Sequence, residues 1–123
     1  MLDVVAQLQT IFDSSTLLTE DKDKAKYITD WSGKTTGEAI AVIRPRTTAE
    51  VAEIMEIAFD TATPVVPQSG NTSVAGGSVP DTEGNAIILS LERMNKIRHV
   101  SSSAMTATVE AGCILESLHT NFE

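Results

Sequence analysis

The stretch Pro67-Gln68-Ser69-Gly70-Asn71-Thr72-Ser73-Val74-Ala75-Gly76-Gly77-Ser78 decides how the chain is read. It follows Val65-Val66, a short apolar run that reads as a buried strand, set off by the breaker Thr63-Pro64. Glycines at 70, 76 and 77 permit backbone conformations that other residues avoid, and they let a ligand approach the main chain closely. Asn71, Thr72, Ser73 and Ser78 add side-chain donors. Successive N–H groups in such a turn form a concave nest for an anion, and a diphosphate is best met by many fixed N–H dipoles. Two familiar phosphate loops do not fit. A P-loop closes on Gly-Lys-Ser/Thr, and no lysine lies between Lys34 and Lys96; the G-x-G-x-x-G spacing fails because five residues separate Gly70 from Gly76. Taken alone, the loop leaves open a structural surface turn, or a site for another phosphate ligand in an unrelated α/β protein.

Working outward, Ala39 to Arg44 is an apolar run ending at Pro45 and reads as a strand. Thr47-Thr48-Ala49-Glu50 fits a capping box, and Val51, Ile54, Met55 and Ala58 form one apolar helical face behind it. Strand, helix and strand with short connections predict a βαβ unit with parallel strands and a right-handed crossover. After the loop, Ala86 to Leu91 reads as a strand. Lys96 to Val100 and Thr106 to Glu110 are two more, joined by Ser101-Ser102-Ser103. Ala111-Gly112 breaks the last strand, and Ile114, Leu115 and Leu118 predict a helix. At the front, Leu2, Val5, Leu8, Ile11 and Phe12 predict an amphipathic helix over residues 2–15. Residues 16–38 read as a long surface loop with Tyr27 and Trp31 as anchors, Trp31 being a lid or, the better reading, a packing anchor.

The chain has 123 residues, with 41% hydrophobic and 21% charged. Those values suit one ordinary folded domain with a real core. A formal net charge of -8 gives no general attraction to nucleic acid or to anionic membrane surfaces. A phosphate site here must therefore be built from N–H groups and a few local donors. Cys113 is the one cysteine, so no internal disulfide is expected. No apolar run approaches the ~18 residues of a membrane helix. Met1-Leu2-Asp3-Val4-Val5 lacks the basic start of a signal peptide, and Asp3 and Asp13 argue against a transit peptide, so a cytoplasmic location is expected. The sequence ends at Glu123 within a helical pattern, which is expected of a fragment.

The loop and its neighbours resemble a known family. Pro67-Gln68-Ser69-Gly70-Asn71-Thr72 followed by Gly76-Gly77-Ser78-Val79-Pro80 is similar to the flavin loop of vanillyl-alcohol-oxidase-type, or PCMH-type, FAD-binding proteins. The branch it most resembles is that of the D-2-hydroxyglutarate and D-lactate dehydrogenases. Asp30-Trp31-Ser32-Gly33, Arg44 to Val51, Ile87 to Asn95 and Val109 to Cys113 resemble further segments in order, from about Tyr27 to the chain end. The resemblance implies an α+β PCMH-type fold, with residues 1–123 supplying the first subdomain and the start of the second, and the substrate or cap domain absent. It implies FAD held by Pro45, Pro67, Gln68, Ser69, Gly70, Asn71, Thr72, Ser73, Gly76, Gly77, Ser78, Ala111 and Gly112. The family often carries glycine where this chain has Ser69 and Ser73, and serine costs more wherever a positive φ is required. Some relatives carry a flavin-linked histidine in the loop; Thr72 stands there, so non-covalent FAD is expected.

In the parent enzyme the resemblance implies oxidation of a small D-2-hydroxy acid. The alternative is a non-catalytic flavin-binding or interaction module. No catalytic or metal-binding residue is assigned. His99 and His119 lack partners at ligand spacing, and Cys113 reads as a small buried residue. Arg44 and Arg46 are candidates for contact with a cofactor phosphate or with the adenine side, with Arg46 better read as a surface charge. A fragment without its partner subdomain exposes apolar surface, so self-association into a homo-oligomer is also expected.

Overall fold

The computed structural model describes residues 3–121. In chain order its elements are α1 (Val4–Gln9), β1 (Leu17–Leu18), α2 (Asp21–Lys24), β2 (Ala41–Ile43), α3 (Thr48–Asp60), β3 (Val65–Gln68), β4 (Ile87–Ser90), β5 (Ile97–Ser101), β6 (Thr106–Val109) and α4 (Leu115–Asn121). Four strands form one sheet in the order β1-β2-β4-β3, and β5 and β6 form a separate antiparallel pair. The α+β class expected from the sequence is borne out.

Strand alternation builds the core. Ala41, Ile43, Ile87 and Leu89 turn to one face, where they meet Val4, Leu8 and Phe12 from the N-terminal segment and Ile54 and Ala58 from α3. Val42 and Ile88 turn to the other face and pack with Tyr27 and Ala39. β4 is buried along its whole length because it is central and covered on both faces. β3 lies at the edge, where Pro67 removes no N–H that a neighbour needs.

β2 and β3 are indeed parallel, but they are not neighbours. β4 lies between them, pairing Val42 with Ile88 on one side and Val66 with Ile88 on the other. The α3 crossover therefore spans two strand spacings and leaves the loop after β3 at the sheet edge. Thr47 caps α3 as expected, accepting the Glu50 N–H at 3.1 Å. The Glu50 carboxylate reaches back to the Arg46 N–H at 2.8 Å, one residue before the cap.

Several expected boundaries shift. α1 stops at Gln9, far short of residue 15. Asp13 starts an Asx turn, its Oδ1 accepting from Ser15 N, Ser15 Oγ and Thr16 N at 3.1, 2.6 and 3.1 Å, which competes with helix. Leu2, assigned to that helix, and Glu123 lie outside the described residues. The expected loop over residues 16–38 holds β1, antiparallel to β2, and the short α2. Met55 is exposed; Ile57 takes its place beside Ile54 and Ala58. Tyr27 is an anchor as expected, at 3% exposure, whereas Trp31 is 74% exposed and is tied down only by its backbone.

Ile88 supports both the sheet and Tyr27. Ile88→Ala is expected to destabilise folding by about 2–5 kcal/mol, read as a fall in urea midpoint. An unchanged midpoint would contradict this packing.

Candidate cofactor site

β3 delivers the loop, and Gln68 fixes its start. Its side chain is 3% exposed, and its Nε2 donates to the carbonyls of Tyr27 and Ser78, each at 2.8 Å. One amide thus joins the two ends of the loop to the segment beside it. Asn71 adopts φ 53°, the left-handed region that asparagine tolerates. Its Nδ2 donates to Thr29 O at 2.8 Å and Lys26 O at 3.3 Å, and its Oδ1 accepts the Ser78 hydroxyl at 2.8 Å. Gly76 turns the chain at φ 80°, and its N–H donates to Asp30 Oδ2 at 3.1 Å. Asp30 Oδ1 accepts the Ser32 hydroxyl at 2.6 Å. The Ser32 hydroxyl first, and then the Gly76 N–H, hold the Asp30 carboxyl below its ordinary range against the opposing effect of burial. The Trp31 N–H donates to Ser73 O at 3.0 Å and closes the frame.

These bonds change the roles assigned from sequence. The donors of Asn71 and Ser78 are committed to the loop's own shape, Ser73 Oγ accepts from Ala75 N at 3.3 Å, and the Ser69 hydroxyl donates to Ala111 O at 2.9 Å. What remains, among the described residues, is the main chain with the Thr72 hydroxyl and the Ser73 hydroxyl proton. Among the described residues, no hydrogen bond engages the N–H groups of Ser69, Gly70, Asn71, Thr72, Ser73 or Val74. A methyl group added at Gly77 would meet nothing within 4 Å, and one at Gly70 only the Thr72 methyl at 3.9 Å, so both flanks are open to a ligand. The donor set suits a diphosphate: fixed, neutral N–H dipoles held by a hydrogen-bonded frame. Ser69 and Ser73 do not adopt positive φ, so the expected penalty for serine does not arise.

A cleft of about 560 Å³ opens beside the loop. Lys26, Tyr27 and Gln68 to Asn71 form one wall; Asn95, Ile97 and Gly112 to Ile114 form the other. Gly112 is required by packing. Its N–H donates to Met94 O at 2.8 Å, and a Cβ there would fall 1.7 Å from Leu91 O. On the floor, the Glu92 carboxylate accepts the Tyr27 hydroxyl at 2.5 Å and pairs with Arg44 at 3.4 Å. Burial first, and then the bond to Glu92, push the Tyr27 phenol up to about 12.

Of the residues expected to bind cofactor, Gln68, Ser69, Gly70, Asn71 and Gly112 line the cleft. Thr72, Ser73, Gly76, Gly77 and Ser78 continue the loop beyond it. Pro45 is fully buried at the end of β2, Pro67 is exposed in β3, and Ala111 is exposed and bonded to Ser69 through its carbonyl. Cys113 is half-buried and lines the cleft instead of lying in the core. His99 and His119 are exposed on β5 and α4. Among the described residues, no group of three or more His, Cys, Asp or Glu is placed to hold a metal ion, and no helix is long and apolar enough to cross a membrane. Sequence reasoning gave Asp30 and Glu92 no role. Ser32 two residues after Asp30 was a usable Asx-type signal, but nothing local links Glu92 to Tyr27.

The sheet, the framed loop and the cleft together define an α+β domain built to hold a phosphate-bearing cofactor. More particularly, the chain belongs to the family described as FAD binding domain, whose model matches residues 39–122, and its fold is of the vanillyl-alcohol-oxidase, PCMH type. It is 39% identical over 102 residues to D-2-hydroxyglutarate dehydrogenase, mitochondrial, of Arabidopsis thaliana, covering 82% of this chain and 18% of that protein. It is 34% identical over 115 residues to D-2-hydroxyglutarate dehydrogenase of Xanthomonas citri pv. viticola, covering 94% of this chain and 24% of that protein. The chain thus spans about a fifth of the length of the curated relatives it matches. Among solved structures, 4-ethylphenol oxidase from Gulosibacter chungangensis in its isoeugenol complex shares the fold with a TM-score of 0.83 at 24% identity, covering 96% of this chain and 23% of that one.

The Tyr27 phenol carries a pH signature. Its folded pKa lies above the ordinary 10.0, so its contribution to stability is complete below pH 10 and is lost as pH rises through about 12. Urea midpoints are expected to fall over that interval for the wild type and to fall less for Tyr27→Phe. Equal falls would show that Tyr27 does not titrate from this buried bond.

Proposed function

We propose that this chain is the N-terminal FAD-binding part of a flavin-dependent dehydrogenase that oxidises a D-2-hydroxy acid of the 2-hydroxyglutarate or lactate type. The observation that carries the reading is the run of unengaged N–H groups from Ser69 to Val74, held in place by Gln68, Asn71 and Asp30. In this reading those N–H groups meet the FAD pyrophosphate, and the wall at Gly112 confines the cofactor from the other side. When bound, the flavin supplies the two-electron acceptor for oxidation of the hydroxyl-bearing carbon. The chain's own residues bind and orient. Glu92, the one carboxylate among the described residues lining the cleft, is committed to Tyr27 and Arg44, so no general base is assigned here. The substrate class is drawn from the relatives named above.

FAD is held non-covalently in this reading. Thr72 occupies the loop position where a linking histidine is expected in some relatives, and His99 and His119 stand on β5 and α4. The commitment of Glu92 also favours a second reading, in which the chain is a flavin-binding module without catalysis. Assay of the full-length gene product with D-2-hydroxyglutarate and an artificial electron acceptor separates the two.

Val100, Met105 and Val109 on the β5–β6 hairpin, with Ile114 and Leu115 beyond it, are exposed apolar residues. We therefore propose that the isolated chain self-associates through this surface.

Titration of the chain with FAD is expected to quench flavin fluorescence, and acid precipitation should release all of the flavin into the supernatant. Flavin retained on the precipitated protein would refute non-covalent binding. Absence of FAD binding by the full-length product would sink the cofactor reading. Sedimentation velocity should give a weight-average coefficient that rises with concentration; a constant monomer value up to high concentration would refute self-association.

A further inference from the structure

The chain carries nine basic residues against seventeen acidic ones, and most of the cations are already committed. Lys22, Lys24, Arg44 and Arg98 stand in ion pairs. Arg93 donates to Thr16 Oγ1 and Ser15 O at 3.1 and 2.8 Å. Of the remaining four, Lys34, Arg46 and Lys96 do not line the cleft, and Lys26 does. Lys26 pairs with no carboxylate among the described residues. Glu92, the only acid among the described residues lining the same cleft, is already paired with Arg44 and accepts the Tyr27 hydroxyl.

Its position is also built. The Lys26 carbonyl accepts from Asn71 Nδ2, and the adjacent Tyr27 carbonyl accepts from Gln68 Nε2, so the backbone under Lys26 is stitched to the start of the loop. The Lys26 ammonium rests 5.0 Å from the centroid of the Tyr27 ring, a cation–π contact that keeps it beside the cleft without neutralising it. In a chain of net charge -8, Lys26 is thus a positive charge lining the same cleft as the start of the run of N–H donors.

We propose that Lys26 is a cofactor-binding residue, the cation that pairs with the phosphate charge at the loop and sets the preference of the cleft for phosphorylated over uncharged ligands. The proposal rests on the reading of this cleft as the FAD site. N–H dipoles orient a diphosphate but carry no net charge, and the summed field of the acidic chain opposes its approach. One unpaired ammonium on the rim offsets that opposition through an interaction that salt screens.

The test compares wild type, Lys26→Gln and Lys26→Arg by calorimetric titration with FAD, ADP and adenosine at low and at moderate salt. Lys26→Gln is expected to weaken FAD and ADP roughly tenfold at low salt, the scale of one charge-assisted contact, and to flatten their salt dependence. Adenosine affinity should not change, and Lys26→Arg should restore binding of the two phosphorylated ligands. Unchanged FAD and ADP affinities with the same salt dependence would overturn the role of Lys26 and leave the FAD reading intact. Equal weakening of all three ligands, or a lowered melting temperature, would make Lys26 a structural residue and overturn the proposal. A wild type that binds neither FAD nor ADP would overturn the cofactor reading and this proposal with it.

Discussion

The Gln68 amide lies at the tip of an edge strand, and its single nitrogen donates to the Tyr27 and Ser78 carbonyls. A buried amide left without partners would cost about 1–3 kcal/mol, so the fold holds these partners in place or loses stability. Here the partners are the wall of the cleft and the far end of the loop. The geometry of both depends on where β3 ends, and β3 is placed by β4, with Gln68 in register with Ser90. Sheet register, loop shape and cleft wall are thus joined at one side chain.

The rest of the loop extends the same logic. Asn71 donates and accepts, and Asp30 accepts, in ways that turn side-chain chemistry into scaffolding, which leaves the backbone to face outward. A site made of main-chain donors needs this division, because N–H dipoles serve an anion well only when they are fixed beforehand. The acidic composition makes the arrangement more necessary, since no general positive field assists it.

The order of the elements was legible because the signals are local. Thr47 before an apolar helical face, Pro64 before Val65-Val66, and the glycines from 70 to 77 each act over a few residues. The parallel relation of β2 and β3 was legible for the same reason. The insertion of β4 between them was not, because strand order is settled by which apolar runs are covered on both faces, and Ile87 to Ser90 is buried throughout. The early end of α1 turned on whether Asp13 would bond its own following backbone, a local competition that apolar periodicity does not register. Trp31 was misread because a large aromatic side chain usually packs, whereas here its backbone makes the contact. Within the site, the loop was visible and its division of labour was not. Beside Ser78 within the loop, the partners of Gln68 and Asn71 come from residues 26 to 29, far away in sequence. Glu92 was invisible for the same reason.

The hairpin of β5 and β6 buries little of itself, and every residue of β6 is exposed. Yet it leads into one wall of the cleft, and among the described residues its hydrogen bonds to the rest lie near its base, Ser69 to Ala111 and Gly112 to Met94. The two walls therefore differ in rigidity: one is anchored in a covered sheet, the other in a ribbon of marginal stability. A molecule that touches both walls binds the formed ribbon, so its binding favours the ribbon's folded state and raises its stability. In such a domain, occupancy of the cleft and persistence of the ribbon are thermodynamically coupled, each favouring the other.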